Sequence, residues 1–226
     1  MTYAPIKAII YDMDGVLVDS EVYWDKSRVE FARDRGKDWT DEFQRLAMGR
    51  STVGWATVMQ EKLALDESID AIIAEMKTRV IAHYEARMPA RPGALESVAH
   101  MKRHFRVGLA SGSPTDIIKA VLRITSLDQI FEVMIYGDEV PRGKPAPDIY
   151  LEALKQLGVA PDRSLGIEDS ANGLRSLKAA GMVAVAAPSP DYPLPDDVLA
   201  LADAHITTLE DFNVDLVRRI ERERRS

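Results

Sequence analysis

The chain has 226 residues, 46% of them hydrophobic and 29% charged, enough for one large or two small globular domains with a real core. Its 36 acidic and 29 basic side chains leave a net charge of −7, which argues against broad electrostatic binding to nucleic acid or an anionic membrane. The absence of cysteine excludes disulfides, thiolate metal sites and a cysteine nucleophile. No apolar run approaches the ~20 residues of a membrane span, so a soluble cytoplasmic protein is expected.

Residues 7–11 read as a short buried strand, because they are apolar, β-branched and aromatic and are stopped by charge and Gly15. From residue 21 to about 91, helix-period patterns run without a convincing strand and include all three tryptophans, Trp24, Trp39 and Trp55. This predicts a small helical unit with its own core. Its helices are expected over 21–35, 41–48, 53–63 and 67–86, with Ser51, Thr52 and Asp66 as N-caps. After Pro89, Pro92 and Gly93, strands and helices alternate. Strands are expected over 106–110, 133–136, 164–167 and 182–186 and near His205, and helices over 94–103, 114–124, 147–157 and 170–180, near Val198 and from Val214. The alternation predicts an α/β fold, a parallel sheet wrapped by helices on both faces, with the helical unit inserted after the first strand. The basic tail from Arg218 to Arg225 reads as a solvated last helical turn, and the four histidines show no zinc-ligand spacing.

The first strand runs into Asp12 and Asp14. At about 4 Å and an effective dielectric near 20, two such carboxylates repel by about 4 kcal/mol, so a positive group must join them or one must stay protonated. Alone, an Asp-x-Asp pair is commonly a turn or a helix cap. Three later strands also stop at polar clusters, at the sheet edge where open parallel sheets bind ligands. Ala110-Ser111-Gly112-Ser113 offers the Ser111 hydroxyl and approachable backbone N–H groups, or simply a serine N-cap. Gly143-Lys144-Pro145-Ala146-Pro147-Asp148 sets Lys144 in a loop stiffened by prolines, where a lysine is otherwise just solvated. Gly166-Ile167-Glu168-Asp169-Ser170 brings two more carboxylates, although Asp169 or Ser170 could equally cap the next helix. Crowded carboxylates suit Mg²⁺, and serine, amides and lysine suit a phosphoryl group; phosphoryl transfer uses both.

In this order the clusters resemble the four motifs of the haloacid dehalogenase superfamily of phosphotransferases. The resemblance spans essentially the whole chain, and residues 143–148 and 166–170 resemble the β-phosphoglucomutase and sugar-phosphatase branch in particular. It implies a Rossmann-like catalytic core, residues 1–19 and 92–226, and an all-helical cap, residues 20–91. By the same resemblance, Asp12 is the nucleophile that becomes an aspartyl-phosphate, and Asp14 is the general acid and base. Mg²⁺ is expected on Asp12, the Asp14 main-chain carbonyl and Asp169, with Glu168 as a further or outer ligand. Ser111, Gly112 and Lys144 are expected to bind the phosphoryl oxygens.

Substrate choice falls to the cap, hinged at Asp19-Ser20 and residues 89–93, with Glu21, Trp24 and Arg50 as candidate contacts to the leaving group. The plainer alternative makes Trp24 cap core and Glu21 and Arg50 surface charges. Mutase relatives carry a histidine where this chain has Trp24, and the basic residues expected after Gly49 give way to Ser51 and Thr52. The expected activity is therefore a Mg²⁺-dependent, monomeric phosphatase of a small phosphorylated metabolite, a sugar or polyol phosphate. A phosphomutase and a non-catalytic phosphate-binding protein are the alternatives.

Overall fold

Strand β1 (Ala8–Tyr11) is buried at all four residues, as an apolar run must be when helices cover both faces of its sheet. It lies between β2 (Arg106–Ser111) and β4 (Ser164–Glu168) in a six-stranded parallel sheet. The strand order is β3-β2-β1-β4-β5-β6, completed by β3 (Val133–Tyr136), β5 (Val183–Ala186) and β6 (Ala204–His205). Tyr11 is in register with Leu109 and Ile167. Asp12, Ala110 and Glu168 therefore stand at one level of the sheet's edge. Chain order reverses on the two sides of β1, which is where doubly wound sheets bind their ligands.

The computed structural model describes residues 4–48, 50–190 and 193–224, so Gly49 and Arg225 lie outside the described residues. Alternate residues of the central strands feed two apolar layers. Ile9, Tyr11, Leu109 and Ile167 pack with α5 (Ala94–Met101), α6 (Thr115–Thr125) and α10 (Val214–Glu223). Ala8, Ile10 and Ala110 pack with α7 (Asp148–Leu157) and α8 (Ala171–Ala179). This is the α/β core that the alternation predicted, with the Rossmann-like form that the resemblance implied.

Between β1 and α5 run four helices, α1 (Glu21–Arg33), α2 (Asp41–Ala47), α3 (Thr52–Lys62) and α4 (Ile69–Ala86). Trp24, Phe31, Trp55, Met59, Met76 and Tyr84 are buried among them, with the Trp24 and Trp55 rings 5.3 Å apart. The two connections to this unit lie side by side: Asp19 N–H donates to Pro89 O at 2.8 Å and Arg91 N–H to Leu17 O at 2.9 Å.

Ser51 caps α3 as expected, accepting from Gly54 N–H at 3.2 Å. Asp66 does not cap α4. Ser68 does, through Ala71 N–H at 3.2 Å. The reason lies in Glu67, whose carbonyl accepts from Gln60 Nε2 and whose carboxylate accepts from Arg35, holding that residue outside the helix. α1 also ends two residues before its expected end, because the chain turns back at Gly36 with φ +65°.

Candidate active site

Asp12 follows β1 directly. Its N–H donates to Ile167 O at 3.1 Å, continuing the ladder, and its side chain is almost wholly buried. The ammonium of Lys144 donates to Asp12 Oδ1 (2.5 Å), Glu168 Oε1 (2.6 Å) and Ala110 O (3.3 Å). All three ammonium hydrogens are thereby committed. The loop that carries Lys144 is braced by more than its prolines. Arg142 makes two bonds to Asp148, at 3.1 and 2.8 Å, and Ser176 Oγ on α8 donates to Ala146 O at 2.7 Å.

Glu168, the last residue of β4, has a built seat. Tyr150 on α7 donates to Oε1 at 2.5 Å and Ser170 Oγ to Oε2 at 3.1 Å. Its carboxylate occupies the space that a side chain at Gly173 would fill, since a Cβ there would lie 1.8 Å from the Glu168 carboxyl carbon. Ser170 caps α8 through Gly173 N–H at 3.0 Å, so Asp169 is not spent as a cap. The Asp169 carboxylate lies against Gly15, where a Cβ would come within 1.8 Å of Oδ2 and where φ is +72°. Only glycine meets both conditions.

Asp12, Glu168 and Asp169 can each offer one carboxylate oxygen within 4.8 Å of the other two. Asp14 turns away from that trio toward the β2 loop. Its Oδ2 accepts from Ser111 Oγ (3.2 Å) and Ser113 Oγ (2.6 Å), while its Oδ1 is buried without a protein partner. Neither serine of the cluster caps the next helix: α6 starts at Thr115 after Pro114, with no side-chain cap.

Burial pushes the Asp12 carboxyl well above the usual carboxylate range, and nearby Glu168, Asp169 and Asp14 add to the effect against the opposing pull of Lys144. Burial and the Glu168 charge likewise push Asp169 up to about 8. Burial also works against the Lys144 charge, but Asp12 and Glu168 outweigh it and hold the ammonium protonated. Three crowded carboxylates thus face one cation. A divalent ion on the carboxylate oxygens fits that imbalance.

Among the residues predicted for the site, the structure brings together Asp12, Asp14, Ser111, Lys144, Glu168 and Asp169. Gly112 adjoins Ser111 and is exposed, and a Cβ there would meet nothing within 4 Å. Glu21, at the start of α1, is close enough to Asp14 for that charge to help raise its pKa, after burial and against Arg28. Trp24 is packed on Trp55, and Arg50 is exposed.

Four partners escaped the sequence reading. Tyr150 and Ser113 hold Glu168 and Asp14. Buried Arg28 donates to Glu21 Oε1 (2.9 Å) and Gln44 Oε1 (3.0 Å), and Gln44 Nε2 donates to Glu21 Oε1 at 2.6 Å. Ser113 stood in the quoted serine cluster, but nothing in sequence marked the others. A surface depression of 610 Å³ at α10, lined by His205, Asp211, Asn213, Asp215 and Arg219 among others, shares no residue with this cluster.

A family model described as haloacid dehalogenase-like hydrolase matches residues 6–181. Hexitol phosphatase B of Escherichia coli is 33% identical over 215 residues, 90% of this chain and 93% of its own. A phosphorylated carbohydrates phosphatase of Thermotoga maritima is 32% identical over 181 residues, 78% of this chain and 82% of its own. Among solved structures, CbbY of Rhodobacter sphaeroides in complex with phosphate superposes with a TM-score of 0.82 at 26% identity, covering 94% of this chain and 99% of that one. The chain belongs to the haloacid dehalogenase-like hydrolases and is an enzyme of their sugar-phosphatase branch.

Proposed function

We propose that the enzyme is a Mg²⁺-dependent phosphatase that hydrolyses the monophosphate ester of a sugar or polyol through an aspartyl-phosphate on Asp12. The observation that carries this reading is the meeting of buried Asp12 and Glu168 with half-buried Lys144 and Asp169 in one cluster beside Asp14 and Ser111. The likeness to a hexitol phosphatase and a phosphorylated carbohydrates phosphatase supports the substrate class.

In the first step an Asp12 carboxylate oxygen attacks phosphorus while the ester P–O bond breaks. Asp14 gives the leaving oxygen its proton. Ser111 and Ser113 both donate to Oδ2, so Oδ1, which has no protein partner, is the atom that carries that proton. In the second step water attacks the aspartyl-phosphate, its proton goes to Asp14, and phosphate leaves. Ser111 Oγ, the N–H groups around Gly112 and the Lys144 ammonium would hold the phosphoryl oxygens, with Lys144 giving up its weakest bond, to Ala110 O, and Ser111 its bond to Asp14 Oδ2, which Ser113 still holds. Asp12, Asp169 and the Asp14 main-chain carbonyl would hold Mg²⁺, with Glu168 beside them. The bound ion would supply fixed positive charge at the transferring group and offset the carboxylate crowding.

Residues 1–19 and 92–226 serve in this reading as the catalytic core and residues 20–91 as the cap. Glu21 faces the leaving group in it, with Trp24 behind and Arg50 at the rim. Phosphate release from a panel of hexitol and sugar monophosphates, measured with Mg²⁺ and with EDTA, is the test. Mg²⁺-dependent turnover of a polyol or sugar phosphate is the expected result. Turnover unaffected by EDTA, or isomerisation without phosphate release, would overturn the reading.

A further inference from the structure

We infer that Tyr150 is a positioning residue for the phosphoryl-transfer site, acting through Glu168 on the ammonium of Lys144. Tyr150 is fully buried on the inward face of α7, where a phenylalanine would fill nearly the same volume without a polar atom to satisfy. Its hydroxyl is used. It donates to Glu168 Oε1 at 2.5 Å, the same oxygen that accepts from Lys144 at 2.6 Å. The face of its ring lies under the ammonium, with Nζ 5.1 Å from the ring centroid. One side chain thus bounds the lysine tip on one side and competes for its second acceptor on another.

The competition gives the contact its purpose. Lys144 is shared between Asp12 and Glu168, and both bonds are charge-assisted and short. Once Asp12 carries a phosphoryl group it is no longer a carboxylate, and the ammonium would be drawn wholly to Glu168. A second donor on Glu168 Oε1 weakens that pull and leaves the ammonium free to serve the phosphoryl oxygens. Ser170 on Oε2 and the space left by Gly173 keep Glu168 from rotating to another acceptor geometry. The effect falls on the transition state, where charge on those oxygens is being redistributed, more than on the bound substrate.

This inference rests on the phosphatase reading, and the test separates the two. Tyr150→Phe keeps the ring and removes the hydroxyl, so the thermal midpoint should stay within a few degrees of the parent protein. We expect kcat to fall about 10-fold with KM within 2-fold, since a hydrogen bond to a charged group is worth about that much. By calorimetry with Mg²⁺ present, orthovanadate, which mimics the five-coordinate phosphorus, should bind about 10-fold more weakly, and orthophosphate within 2-fold of the parent. In a Glu168→Gln background the same substitution should cost less than a further 2-fold in kcat. Unchanged vanadate affinity overturns the inference, as does a full additional loss in the Glu168→Gln background or an equal weakening of orthophosphate and vanadate. If the parent protein hydrolyses no monoester, the phosphatase reading falls, and the vanadate comparison still decides the role of Tyr150. A parent protein that binds no vanadate sinks both.

Discussion

Lys144 and Asp12, 132 residues apart in sequence, meet at 2.5 Å, and the same ammonium lies 2.6 Å from Glu168. One cation therefore serves two buried carboxylates, with a third, Asp169, in the same cluster. That relationship decides how the site should respond to losing any one member, because buried charges are tolerated only in company.

Removing the cation should be the costliest single change. Lys144→Met leaves Asp12 and Glu168 facing each other without their shared partner, and breaking a buried pair by removing one member costs about 3–5 kcal/mol. Urea unfolding in EDTA should register a loss of that order, together with loss of activity. A loss below about 1 kcal/mol would mean that the Lys144 contacts carry little of the local balance.

Asp12→Asn should behave in the opposite way on stability. The amide keeps the shape and removes one charge from a site where burial first, and then the neighbouring carboxylates, push Asp12 well above the ordinary carboxylate range. Turnover should vanish, because an amide cannot form the acyl phosphate, while the thermal midpoint of the metal-free protein holds or rises. Retention of even a tenth of the original activity would remove Asp12 as nucleophile.

The same crowding makes a pH prediction. Asp169 is pushed up to about 8 by burial first and then by Glu168, against about 3.9 for an unperturbed aspartate. Between those values the folded state holds more protons than the unfolded state, so unfolding free energy falls as pH rises. The stabilising contribution is thus present near pH 4 and is lost as pH climbs through about 8. In EDTA the thermal midpoint should decline across that window, and Mg²⁺ should flatten the decline by giving the ionised carboxylates a partner. A midpoint that rises steadily from pH 5 to pH 8 in EDTA would contradict the raised pKa of Asp169 beside Glu168.

The strand-end motifs were legible in sequence because each is local: an apolar run, its terminating polar cluster and a glycine or proline all lie within about ten residues. Parallel order then brings the ends together without further information. Contacts set by helix packing left no such trace. Glu21 and Arg28 share α1 seven residues apart, but Gln44 reaches them from α2, and Tyr150 reaches Glu168 from a helix across the sheet edge. Trp24 could be read equally as a ligand contact or as core, and its packing on Trp55 depends on how α1 meets α3. Asp66, Glu67 and Ser68 all lay near the start of α4, and the choice of Ser68 rests on Gln60 and Arg35, which bind Glu67 from distant positions.

Gly15→Ala tests the proposed metal seat separately from the proposed nucleophile. An added methyl would lie 1.8 Å from Asp169 Oδ2 at a φ of +72°, so either the loop or the carboxylate must move. Mg²⁺ affinity by calorimetry should weaken by at least about 10-fold, as displaced metal partners generally do. Gly112→Ala is the paired control, since a Cβ there meets nothing within 4 Å and the N–H is retained. It should keep activity within a few-fold, and a loss equal to that of Gly15→Ala would mean that the loop needs glycine for another reason.

The network in the proposed cap makes the sharpest claim about selectivity. Arg28 is buried and spends its Nη1 on Glu21 and Gln44, while Trp39 Nε1 donates to the same Gln44 oxygen at 2.9 Å. The bonds from Arg28 and Gln44 both fall on Glu21 Oε1, which leaves Oε2 to accept from a ligand hydroxyl. Because Arg28 is neutralised and enclosed by Glu21, it is a poor anchor for a second phosphate, and an anionic neighbour disfavours one further. Glu21→Gln keeps the size but loses the charge, and Glu21→Ala also removes the acceptor. Both should lower kcat/KM for a hexitol monophosphate by about 10-fold or more, as losing a hydrogen bond between a charged acceptor and a ligand does, while p-nitrophenyl phosphate, which has no hydroxyls to offer, changes within about 3-fold. Glu21→Gln should also narrow the preference for monophosphates over bisphosphates. Equal losses on every ester would assign the network to cap stability, with Arg28 left buried beside a neutral partner, and would remove Glu21 from substrate choice.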